Sequence, residues 1–87
     1  MDLTQRIARK DIDLKFCNIV PGTPATGTYF GTPFAGTIYG ERRNSLTLDE
    51  QIYVVFDQPI TVQGEPTVSA LIDSGLVAIG LCSIDGI

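Results

Sequence analysis

Apolar and polar positions alternate along this chain in short runs, and the period is two over most of its length. In residues 11–17, Ile12, Leu14 and Phe16 fall on one side and Asp11, Asp13 and Lys15 on the other. That pattern predicts a strand with one wet face, continuing through Ile19 and Val20 to a stop at Pro21-Gly22. Residues 34–43 alternate again: Phe34, Gly36, Ile38 and Gly40 share one face, Ala35, Thr37, Tyr39 and Glu41 the other. Two glycines on one face predict sharp curvature or the close approach of another backbone. Asn44-Ser45 reads as a turn, and the return strand places Leu46, Leu48, Ile52, Val54 and Phe56 on even positions. Glu50 breaks that phase, so a bulge is expected near Asp49-Glu50.

Between these runs the chain is punctuated. Gly22-Thr23-Pro24-Ala25-Thr26-Gly27-Thr28 is echoed by Gly31-Thr32-Pro33-Phe34-Ala35-Gly36-Thr37. Pro and Gly break helices and Thr disfavours them, so this stretch is not helical. Residues 21–33 are expected to form one long Gly/Thr/Pro loop, with Tyr29 and Phe30 as its only large side chains and a short paired stretch near Thr28–Phe30. Before it, residues 1–10 read as an arm or a short helix, since Asp2 with Gln5 resembles a capping box and Leu3 and Ile7 are four apart. Asp57-Gln58-Pro59 reads as a tight turn, and residues 60–63 as a short strand. Pro66 suits the first position of a helical turn. Val68, Leu71 and Ile72 would share its face, with Ser74-Gly75 closing it. Residues 76–84 form the expected last strand, apolar on both faces, which belongs between two layers or against a neighbouring subunit.

These elements predict an all-β chain: a small five- to six-stranded, partly closed barrel with one short helical turn before the last strand, in a single domain spanning 1–87. The order of long first loop, bent hairpin, helical turn and final strand resembles the small barrels typified by the Src-homology-3 domain, over roughly residues 27–84. The likeness is one of architecture and implies no function, because that architecture hosts many.

Composition adds a second expectation. Of the 87 residues, 44% are apolar and only 18% charged, a large apolar share for a chain whose small size limits its core. Part of that surface is expected in a subunit interface, making the chain a homo-oligomer. Net charge is −4 with no histidine. Residues 1–43 hold six bases and four acids, a balance of +2, and residues 44–87 hold six acids and no base, a balance of −6. Opposite halves can attract within or between chains. An acidic chain is a poor match for a phosphate backbone, so no nucleic-acid partner is expected. No apolar run approaches the ~18 residues of a membrane span, and no signal peptide is legible, so the expected location is cytoplasmic.

Candidate chemistry is sparse. Gly22-x-x-x-x-Gly27 and Gly31-x-x-x-x-Gly36 begin like phosphate-binding loops, but Thr28 and Thr37 stand where the lysine belongs and a strand follows where a helix should. With no histidine, a His-activated nucleophile is excluded. The carboxylates read as solvated or turn-forming groups. Cys17 and Cys82 lack metal-type spacing and read as buried small hydrophobes, pairing only in an oxidising compartment. No metal or cofactor is expected. The candidate binding residues are Tyr29 and Phe30 in the loop, Tyr39 and Tyr53 on the odd face of the hairpin, and Arg42 and Arg43 beside its turn, where two guanidinium groups can clamp an anion. Gln51-Ile52-Tyr53 is similar to part of the Val-Gln-Ile-Tyr motif of plasmid-type dihydrofolate reductases, which implies those three as pore-lining candidates. Glu50 departs from that motif, and the triplet lies mid-hairpin. The expected function is a non-catalytic binding or assembly module that self-associates with a protein or small-molecule partner. The alternatives are a small oligomeric enzyme with its site at a symmetry axis and a structural subunit of a larger bacterial or phage assembly.

Overall fold

Two tight turns and one longer loop organise the chain. A computed structural model describes residues 3–87, with side chains from Lys10 onward. Helix α1 (Leu3–Phe16) is followed by strands β1 (Thr23–Tyr29), β2 (Thr32–Arg43), β3 (Glu50–Val62) and β4 (Glu65–Asp73), a short helix α2 (Ser74–Ala78) and strand β5 (Cys82–Ile84). The β1–β2 turn is Phe30-Gly31 and the β3–β4 turn is Gln63-Gly64. All four residues have positive φ, the two-residue geometry whose twist matches that of paired strands. The strands form one antiparallel sheet in the order β4-β3-β2-β1-β5. It curls into a small all-β half-barrel compatible with a Src-homology-3-like architecture.

The alternation in β2 and β3 is realised as read. Phe34, Ile38, Ile52, Val54 and Phe56 are buried, and Ala70, Ile72, Cys82, Ile84 and Phe16 complete the core. Gly36 is required by close approach: a Cβ there would lie 2.4 Å from the Val55 carbonyl oxygen. Gly27 is required more strongly, since its Cβ would lie 1.9 Å from the Ser83 carbonyl oxygen and push β5 off β1.

Several expectations are corrected. Residues 11–16 belong to helix α1 rather than to a strand. Ile12 and Phe16 are four apart and both pack on the core, while Leu14 is exposed, so a period near 3.6 outranks the period of two. The expected capping role of Asp2 lies outside the described residues. The long loop at 21–33 is largely strand β1, and the echoed Gly/Thr/Pro segments pair with each other, Gly27 opposite Phe34 and Thr28 opposite Pro33. Pro24 is tolerated because β5 pairs only with residues 27–29 of β1, so Pro24 needs no ladder partner on that side.

Asp57-Gln58-Pro59 is not a turn. Strand β3 runs through it, and the register with β4 shifts between Val55 and Ile60. The other irregularity is at Ile38–Gly40, not at Asp49-Glu50. Leu46, 92% exposed, and Leu48 lie in the loop after β2 rather than on the return strand. Residues 66–72 are strand β4, pairing Ile72 with Ile52 and Ala70 with Val54. The helical turn comes at α2, capped by the Asp73 carboxylate, which accepts from the Leu76 N–H at 2.8 Å. The last strand is correspondingly short. Cys82 is buried as expected, but Cys17 is exposed, and both are free thiols.

Candidate functional site

The irregularity in β2 decides which side chains meet. Ile38 pairs with Val54 but Gly40 pairs with Tyr53, so one extra residue, Tyr39, is accommodated and the facing pattern reverses beyond it. Glu41 then lies opposite the core residue Ile52, and Arg42 opposite Gln51. Arg42 thereby joins Tyr39 and Tyr53 on the outer face of the sheet, while Glu41 and Arg43 take the phase of the inner face. Tyr39 is 60% exposed, Tyr53 42% and their β4 neighbour Leu71 38%. With Gly40, Glu41 and Arg42 they line a shallow groove of about 160 Å³. The Arg42 Nε donates to the Gln51 Oε1 at 2.9 Å, which holds the guanidinium at the groove's edge.

The other predicted residues go elsewhere. Arg43, next to Arg42 on the strand, faces the opposite side and donates from Nε to the Glu50 Oε1 at 2.7 Å, with a second contact from Nη2. That carboxylate keeps the guanidinium even more firmly protonated than usual. Tyr29 and Phe30 are half-buried at the β1–β2 turn, their rings edge-to-face at 4.8 Å, and both pack on the core. Burial raises the Tyr29 hydroxyl above its ordinary pKa. These two are structural anchors of the turn, away from the Tyr39–Tyr53 groove. Of the triplet Gln51-Ile52-Tyr53, Ile52 is wholly inside its own core and Gln51 is buried against Arg42, so Tyr53 alone presents an exposed side chain.

Tertiary structure also assembles a cluster that spacing does not reveal. Cys17 follows α1, Glu41 lies on β2 and Glu50 opens β3, yet their ligand atoms lie within 4.8 Å of one another. Local desolvation and then the Glu50 carboxylate push the Cys17 thiol up. A soft divalent ion could use these three donors only by displacing the thiol proton that Glu50 helps to retain and by competing with Arg43, which already pairs with Glu50.

A second depression, about 210 Å³, lies farther along the strands and is lined by Pro24, Thr26, Ala35, Asp57 and Asp85 among others. The Asp85 N–H donates to the Thr26 carbonyl at 2.8 Å, and the Thr26 hydroxyl donates to the Asp85 carboxylate. Neither Leu71 nor the shared depression of Asp57 and Asp85 was legible as surface chemistry, because Leu71 reads as a helix face and both aspartates as turn residues. No helix among the described residues is long and apolar enough to cross a membrane. Comparison with protein-family models, with characterised proteins and with solved structures finds no match to this chain.

Proposed function

We propose that this protein is a non-catalytic binding and assembly module that self-associates and presents the outer face of its β2–β3–β4 sheet to its partner. The observation that carries this reading is the groove of Tyr39, Tyr53 and Leu71 with Arg42 at its edge. Tyrosine and arginine are the side chains that anchor protein interfaces, because they combine large apolar area with directional polar atoms. Here they stand on strands, which hold them in fixed relative positions. The open ends of the sheet support the same reading, since β4 and β5 are edge strands with backbone groups available for pairing. The acidic composition favours a protein partner over nucleic acid. Two free thiols suit a reducing, cytoplasmic setting. The Src-homology-3-like likeness is taken as architecture alone.

Light scattering after size-exclusion chromatography, across a dilution series, tests the reading. The wild-type chain is expected to exceed the mass of one 9.4 kDa protomer as concentration rises. Tyr53→Lys, which alters an exposed position, is expected to remain monomeric with an unchanged circular dichroism spectrum. A wild-type chain that stays monomeric at every concentration overturns it.

A further inference from the structure

The outer face carries opposite charges at its two ends. Arg42 stands at one end, beside Tyr39 and Tyr53. Asp57 and Asp85 line one depression at the other end, on either side of Ala35 and Thr26. Thr37 and Val55, which pair with each other, lie between. Among the described residues none of Arg42, Asp57 and Asp85 makes an ion pair. Gln51, the partner of Arg42, precedes Asp57 by six positions on β3, which at ~3.3 Å per residue separates the two ends by roughly 20 Å.

From this arrangement we infer that the partner on this face is a second copy of the same chain, bound face to face about a two-fold axis. A two-fold contact is isologous, so a surface can pair with itself only if each feature meets its complement across the axis. An axis lying in the plane of contact and crossing the strands at the Ile38–Val54 pair, midway between Gln51 and Asp57, meets that condition. It sets Arg42 of one copy against Asp57 of the other, twice per dimer, with Asp85 adding negative charge at the same end. Tyr39 and Tyr53 then cover Thr37 and Val55, so the apolar centre closes while the charges lie at the rim. Lysine- or arginine-rich partners would leave Arg42 facing like charge, and acidic partners would leave Asp57 and Asp85 so.

The size of the face sets the strength of the contact. Taken as flat, five strands at ~4.8 Å spacing over a length of roughly 20 Å set an upper bound of about 400 Å² per copy, which the curl of the sheet reduces. Even that bound is near half the ~800 Å² per partner of a stable interface. The dimer is therefore reversible, forming and dissociating within an accessible concentration range. Its charged rim makes it weaker in high salt.

This inference rests on the self-association proposed above, and the experiment separates the two. Arg42→Glu and Asp57→Arg are prepared as separate chains and measured by light scattering or sedimentation, alone and in equimolar mixture. Each alone meets like charge across the axis and is expected to dimerise roughly tenfold or more weakly than wild type. The mixture is expected to restore dimerisation. On one side of the axis the introduced glutamate of the first variant meets the introduced arginine of the second. On the other side the native Asp57 of the first variant meets the native Arg42 of the second. Recovery in the mixture also shows that both variants fold. If wild type self-associates but the variants alone match it, or the mixture stays monomeric, the two-fold face is overturned and self-association through another surface stands. A monomeric wild type overturns both.

Discussion

Gly36 and Gly40 share a face in the sequence yet meet different surroundings. A side chain at Gly36 would strike the Val55 carbonyl, which is backbone and cannot rotate away, whereas nothing lies within 4 Å of a Cβ at Gly40. Gly36→Ala is accordingly expected to cost about 1–3 kcal/mol through overpacking, and Gly40→Ala to stay within about 0.5 kcal/mol of wild type. Urea denaturation of the two variants measures the difference, and equal effects would contradict the close approach. At Cys82 the deciding quantity is burial, which pushes the thiol above its ordinary value of 9.0. The folded chain holds that proton more tightly than the unfolded chain does. Its stabilising contribution is thus present below the unfolded pKa and lost as pH rises through the folded one. The melting temperature of the wild type is expected to begin falling above about pH 9, and Cys82→Ala to fall less steeply between about pH 9 and 10. Parallel curves would show that the buried thiol does not govern the alkaline limb. Tyr29, shifted in the same direction from 10.0, adds its own loss at higher pH.

Among the elements, α1 departs furthest from the alternation read in the sequence, and a small polar junction explains how it docks. Phe16 enters the core, and the helix packs on α2. Between them the Asp13 carboxylate accepts from the Glu50 N–H at 3.0 Å and from the Ser74 hydroxyl, tying α1 to the starts of both β3 and α2. Ser74 and Glu50 are buried. Asp13→Ala would leave a buried hydroxyl and a backbone N–H without this acceptor, a loss of about 1–3 kcal/mol. Asp13→Asn, which keeps an acceptor oxygen, is expected to recover part of it. Chemical denaturation of both variants checks the order, and an Asp13→Ala chain as stable as wild type would mean the junction contributes nothing. Alternation predicted a strand here because Ile12, Leu14 and Phe16 fit a period of two as well as Ile12 and Phe16 fit a helical turn. Seven residues are too few to separate the periods. The arbiter was which apolar residue stays outside, and that is Leu14.

For the whole molecule, local pattern and long-range contact played distinct parts. The all-β class, the buried faces of β2 and β3, a short helix before the last strand, and the outward placement of Tyr39 and Tyr53 were all legible in the residue order. Each follows from the period of two and from the φ preferences of Gly and Pro, which are local properties of the chain. Long-range contact was needed to make the Gly/Thr/Pro segment a strand, since Thr-rich chain pairs or loops according to the neighbour it finds. The same holds for β4, whose Val68, Leu71 and Ile72 fit a helix until β3 lies beside them. The parting of Arg42 from Arg43 is likewise a tertiary outcome. Adjacent residues on a regular strand always face apart, but which of the two joins the tyrosines depends on one extra residue at Tyr39. That extra residue leaves both Ile38 and Glu41 opposite core-facing residues of β3, Val54 and Ile52. That Asp57 and Asp85 line one depression is also a tertiary outcome: strand order, a non-local property, carries β5 back beside β1 and gives the outer face its second charged end.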